Sequence, residues 1–133
     1  MTFVCTHLMF QDGKAQAALD LYTSVFPGFT VVLVEKFSPE EASPDFIKFA
    51  KIDFEGHWLI IADSPIPHGF DFTPSASLFV DFDNAADLDR AFAALGDDGD
   101  VKMPLDDYGF SQRFGWLTDR FGVSWQLNMP NTQ

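Results

Sequence analysis

The same order of structural signals occurs twice along this chain. Residues 3–10 alternate and are rich in strand formers. Gln11-Asp12-Gly13 then breaks the alternation, with Asp12 placed to cap a helix. From Lys14 onward Ala15, Ala18, Leu19, Tyr22 and Phe26 recur at the spacing of one helical face, and Pro27-Gly28 ends the run. Residues 30–37 form a β-rich stretch and residues 38–45 a polar loop with two prolines. Residues 46–54 and 58–63 read as two strands joined by a tight turn at Glu55-Gly56. The order then restarts. A strand over residues 75–82 leads to a cap at Asp83-Asn84, and Leu88, Ala91, Phe92 and Leu95 mark a helical face that Gly96 ends. Strands over 101–104, 110–118 and 123–128 follow, the last two separated by a turn at 119–122.

Setting Leu8 against Leu78 also sets Phe10 against Val80, Ala15 against Ala85 and Tyr22 against Phe92. The turn glycines Gly56 and Gly122 fall at matching places before the last strand of each half. Weak identity with strong agreement of element order is the mark of an old duplication. The expected fold is α+β: one domain of two tandem β-α-β-β-β units forming curled mixed sheets. Unit 1 spans about 1–64, a linker about 65–73 and unit 2 about 74–133. A ferredoxin-like split β-α-β is the rival, and it has fewer strands than the sequence supplies.

Charge and composition narrow the partners. Twenty acidic against 8 basic side chains give a net charge of −12, which argues against nucleic acid, since phosphate recognition needs clustered Lys and Arg. The same field attracts cationic ligands and repels anionic ones. No apolar run approaches the length of a membrane span, and residues 1–5 lack the basic flank of a signal peptide, so a cytoplasmic location is expected. Cys5 has no second cysteine to pair with and reads as a small buried hydrophobe on the first strand. Sixteen Phe and three Trp suit either a core or an apolar ligand pocket. Sheets this apolar need cover, and a homodimer is the expected solution.

Several stretches resemble a known group. They are Leu8-Met9-Phe10 with residues 15–22, Phe72-Thr73-Pro74, Met103-Pro104-Leu105-Asp106-Asp107-Tyr108-Gly109-Phe110, Phe114-Gly115-Trp116 and Asp119-Arg120-Phe121-Gly122-Val123-Ser124-Trp125-Gln126-Leu127. Across essentially the whole chain the sequence is similar to the PhnB-like branch of the vicinal oxygen chelate superfamily, which includes glyoxalase I, extradiol dioxygenases and bleomycin-resistance proteins. Such families often carry the label 3-demethylubiquinone 3-methyltransferase. The strand, Gly-rich turn and helix that would hold S-adenosylmethionine are not found in the sequence, so that activity is not expected.

Metal-dependent relatives hold one divalent ion with side chains from the first and last strands of each unit. The resemblance assigns His7 and either Ser75 or Ser77 to the first-strand places, and Ile60 and Gln126 to the last-strand places, where metal enzymes carry Glu. His7 is a good ligand, Gln126 a weak one and Ile60 none. Asp63 lies nearby, but alternation turns it to the face opposite Ile60. No cofactor is therefore expected, and a divalent metal is the lesser alternative. His57 and His68 read as solvated, as does the Asp106-Asp107 pair. No serine elbow, Cys–His pair or phosphate loop is present.

What remains is a binding pocket. Tyr108, Phe110, Trp116 and Gln126 would line a cup-shaped cavity with His7 and Ser77, and Trp125 is expected in the core. The expected function is binding of a small apolar or aromatic molecule, with catalysis unproven. One alternative is a metal-dependent isomerase, lyase or dioxygenase of the glyoxalase type. A second is a resistance protein that sequesters a basic drug.

Overall fold

Two separate four-stranded sheets, each served by one helix, account for the regular structure of the computed structural model, which describes residues 1–131. The chain divides into two units after Phe70. In the first, β1 (Thr6–Phe10), α1 (Ala15–Val25), β2 (Phe29–Lys36), β3 (Ile47–Phe54) and β4 (His57–Asp63) form a sheet of order β1-β4-β3-β2. In the second, β5 (Ser77–Asp81), α2 (Ala85–Gly96), β6 (Asp100–Asp106), β7 (Arg113–Thr118) and β8 (Ser124–Met129) repeat it as β5-β8-β7-β6. First and last strands pair in parallel, the others antiparallel. The expected tandem units are present and the ferredoxin-like rival is excluded. No helix among the described residues is long and apolar enough to cross a membrane.

The helical face read from the sequence is the buried one: Ala15, Ala18, Leu19 and Tyr22 all turn inward. They belong to a core shared with Ile47, Ala50, Ile52, Leu59 and Ile61. Tyr22, Phe26, Phe29 and Phe54 meet edge to face or tilted at 5.0–5.6 Å between ring centres. In the second unit Leu88, Ala91 and Leu95 are buried with Leu117, Trp125 and Leu127. Trp125 is fully buried, and its Nε1 donates to Asp119 Oδ2 at 3.0 Å. Asp119 Oδ1 also accepts from the backbone N–H groups of Phe121 and Val123, so one carboxylate shapes the β7–β8 turn and anchors the core tryptophan. The turn at Glu55-Gly56 has both residues at positive φ, as a tight hairpin requires.

Several boundaries differ from expectation. Asp12 does not cap α1; it is exposed with φ 58°, and the cap position falls on Lys14, whose side chain makes no cap bond. The acceptor comes from β4 instead. Asp63 Oδ1 accepts from Ala15 N at 3.0 Å, and Oδ2 from Ile47 N at 2.8 Å. β1 starts at Thr6, where the parallel pairing with β4 begins opposite Leu59, and Phe3 packs edge-on to Trp58. Cys5 therefore precedes the strand and is half-buried. β6 runs through Pro104 to Asp106, since an edge strand tolerates a residue with no N–H to share. β7 starts at Arg113, after Asp107 Oδ1 accepts from Gly109 N in a turn that puts Gly109 at φ 97°. Tyr108 and Phe110 thus lie in a loop.

The polar loop over 38–45 is as expected and is organised by Glu41. Its carboxylate accepts from Lys48 Nζ and from the N–H and hydroxyl of Ser38, which together hold its pKa down to about 2. His68, expected in solvent, is half-buried, stacked on Phe70 and bonded to Ser64.

Replacing Asp63 by Ala strands two backbone donors, at roughly 1–3 kcal/mol each where no water replaces the carboxylate. Chemical denaturation of Asp63→Ala should therefore show a loss on the order of 2 kcal/mol or more. Wild-type stability would show that the carboxylate does not hold α1 to the sheet.

Candidate ligand-binding site

Helix α2 packs on the face of the second sheet that carries Leu117, Trp125 and Leu127. Their neighbours along each strand face the other way. That opposite face presents Ser77 and Phe79 from β5, Phe114 and Trp116 from β7, and Ser124, Gln126 and Asn128 from β8. Register sets Ser77 beside Ser124, Trp116 beside Gln126 and Phe114 beside Asn128.

A row of hydrogen bonds crosses this face. Trp116 Nε1 donates to Ser124 Oγ at 2.8 Å, the Ser124 and Ser77 hydroxyls are 2.6 Å apart, and Gln126 Nε2 lies 3.3 Å from Ser77 Oγ. Ser124 is 1% exposed, whereas Ser77, Trp116 and Gln126 are half-buried. The row thus has a buried middle and ends that solvent reaches. Beside it stands an aromatic cluster centred on the buried Phe114. Phe110 meets that ring at 5.0 Å, Tyr108 at 6.1 Å and Phe79 at 6.3 Å, while Tyr108 and Phe110 stack on each other. Phe79 and Phe110 are more than half exposed, which is unusual for rings of this size unless something covers them. Asn128 Nδ2 donates to Asp81 Oδ1, and Asn128 Oδ1 is buried with no partner.

Gly115 fixes the height of Trp116. A Cβ at position 115 would stand 2.5 Å from the Phe92 ring and 2.8 Å from Leu105, so only glycine lets α2 approach β7 this closely.

Of the residues expected to meet, Ser77, Trp116 and Gln126 do so within the second unit, Trp116 joined to Ser77 through Ser124 and Gln126 bonded to Ser77 directly. Tyr108 and Phe110 form the adjoining cluster. His7 belongs to the first unit, exposed on β1 and paired with Ile60 on the face away from Asp63. That face also holds Lys51, whose Nζ lies 5.0 Å from the Trp58 ring centre and 5.2 Å from that of Phe3. Ser75 precedes β5 and bonds to Thr73, so Ser77 is the residue in the sheet. Counted from the turn glycines, Gln126 matches Ile60; counted along the parallel pairing, Ser124 does, because Ser77 opposes it as His7 opposes Ile60. Ser124, Phe114 and Phe79 escaped the sequence reading. Stepping two residues from Gln126 along the strand would have found Ser124.

Two other features stand apart from this face. Ser64 and His68 resemble a nucleophile–base pair, with Ser64 Oγ 2.8 Å from His68 Nε2. The same Oγ is 2.7 Å from the Ile66 carbonyl, to which it must donate. Nε2 therefore carries the proton and donates to the serine, the reverse of what a general base requires. An open groove lined by Arg90, Phe92, Ala93, Gly96, Asp97 and Val101 lies along α2 and shares no residue with the Ser77 row.

The donors on the open face are hydroxyls and an amide, and no three His, Cys, Asp or Glu side chains converge among the described residues. Such a set does not fit the divalent ion that the fold class implies. Nor does either sheet contain the Gly-rich turn between parallel strands that a nucleotide-type cofactor requires.

Tandem β-α-β-β-β units with parallel first and last strands define a vicinal oxygen chelate protein. Within that class, residues 2–128 match the family described as 3-demethylubiquinone-9 3-methyltransferase, and the chain belongs to this PhnB-like family. The PhnB protein of Bacillus cereus, which carries the same methyltransferase label, is 36% identical over 96% of this chain and 99% of its own, with a TM-score of 0.90. A protein of Pseudomonas aeruginosa is 29% identical over 99% of this chain and 100% of its own, with a TM-score of 0.85. The fosfomycin resistance protein FosX of Mesorhizobium loti shares the fold at 17% identity, covering 96% of this chain and 92% of its own, with a TM-score of 0.62. No curated protein matches the sequence.

Replacing Ser124 by Ala removes the acceptor of the Trp116 indole and the link to Ser77. Thermal melts should report a destabilisation of roughly 1–3 kcal/mol. An unchanged melting temperature would show that the row is not formed.

Proposed function

We propose that this protein binds a small apolar or aromatic molecule on the open face of its second sheet, without a metal. The observation that carries the reading is the coincidence of the exposed Phe79 and Phe110 rings with the Ser77–Ser124–Trp116–Gln126 row. A flat apolar wall with a few fixed polar groups is what recognition of such a molecule needs. Trp116 and the Phe114 cluster supply the stacking surface, and Ser77 and Gln126 orient the ligand. His7 holds the equivalent first-strand position of unit 1, outside this face.

The donor set supports the metal-free part of the proposal, since hydroxyls and amides bind transition metals poorly. The methyltransferase label is a family name, and nothing on the face suits methyl transfer. A glyoxalase-type isomerase, lyase or dioxygenase would need further carboxylate or imidazole ligands beside Ser77 and Gln126. A protein sequestering a basic compound is the second reading, favoured by the net charge of −12.

We also propose a homodimer. β2 is an edge strand that exposes Val32, Leu33 and Val34 in succession, an apolar edge that solvent-facing strands normally avoid. Light scattering should give twice the chain mass of 14.9 kDa, and a single-chain mass at micromolar concentration removes the dimer.

Ligand binding is tested by calorimetry with ethylnaphthalene as an aromatic probe. Trp116→Ala should weaken binding roughly ten-fold, the scale of one lost stacking contact. Gln126→Leu, similar in volume, should leave the melting temperature nearly unchanged. Equal affinity in wild type and Trp116→Ala sinks the proposed site.

A further inference from the structure

We infer that the ligand presents a neutral hydrogen-bond acceptor, such as a ketone or amide carbonyl, to Ser77 and Gln126. The inference rests on the binding face proposed above and follows from the direction in which protons can run along the row. An indole N–H only donates, so Trp116 Nε1 fixes Ser124 Oγ as its acceptor. Ser124 must place its own proton too. It is 1% exposed, and the one oxygen recorded within reach of that proton among the described residues is Ser77 Oγ at 2.6 Å. If Ser77 donated instead, the Ser124 proton would be buried without a partner, at a cost that native structures avoid. Ser124 therefore donates to Ser77.

The polarity then passes outward whichever way the Gln126 amide is turned. With Nε2 toward Ser77, the serine accepts twice, which leaves its own proton and the second Nε2 proton for the ligand, with Oε1 beside them. With Oε1 toward Ser77, the serine donates to it, and both Nε2 protons are left. In either state two donor protons stand at the accessible end of the row. The burial of Ser124 between Trp116 and Ser77 makes the outer end of the face a donor, although serine and glutamine by themselves have no preferred direction. The net charge of −12 disfavours a carboxylate or phosphate as the matching group, so a neutral carbonyl on an aromatic body fits best.

The test compares methyl naphthyl ketone with ethylnaphthalene by calorimetry on the whole chain. The ketone should bind about ten-fold more tightly, the worth of one well-placed hydrogen bond. Ser77→Ala combined with Gln126→Leu keeps the Trp116 ring but removes the outward donors, so the preference for the ketone should fall toward unity. Equal binding of the two probes, lost in Trp116→Ala, overturns the acceptor inference and leaves the site standing. A ketone preference that persists undiminished in that double variant also overturns it, because the donors then lie elsewhere. If neither probe binds, or if backbone NMR shifts move away from Phe79, Phe114 and Trp116, the site and the inference fall together.

Discussion

Each unit is organised by the demand that its first strand lie parallel to its last. Parallel neighbours cannot be joined by a hairpin, so the chain crosses over before the sheet is completed. In both units the crossover carries one helix, and one helix covers one face. Thr6 beside Leu59 and Ser77 beside Ser124 are the registers that result. The opposite face of each sheet is left to whatever lies outside its own unit, and it is there that the chain carries His7 in one half and the Ser77 row in the other.

The covered face sets the precision of the open one. Gly115 brings β7 hard against Phe92 of α2, and Trp116, the next residue, inherits that position on the other side. Ser124 and Trp125 are likewise neighbours on β8, one serving the hydroxyl row and the other locked by Asp119. A strand one residue thick transmits core packing directly to the binding surface.

Periodicity was the part of the structure legible in the sequence. Ala15, Ala18, Leu19 and Tyr22 announce a buried helical face by spacing alone, and the buried Trp125 follows from alternation on a short strand. The contacts that escaped are those between residues distant along the chain. Asp12 looked like a cap because local sequence offers no view of Asp63, which reaches Ala15 from 48 residues away. The strand expected over residues 110–118 begins only at Arg113, where its pairing with Met129 of β8 begins, a register invisible to hydrophobic pattern. Gln126 could be placed by resemblance, but its bond to Ser77 depends on register, which neither strand specifies by itself.

The two helices differ in where their first N–H groups find acceptors. Asn84 caps α2 from three residues away, accepting from Asp87 N, so that helix is closed by contacts inside a single turn. Helix α1 has no such side-chain cap of its own and leans on a carboxylate of β4, beside the end of β1 but 48 residues away along the chain. Closing that contact spends the chain entropy of a long loop before any stabilisation returns. Although the halves share one plan, they enter the folding reaction on different terms. The cap of the second is local in sequence, whereas that of the first exists only once β4 lies beside β1.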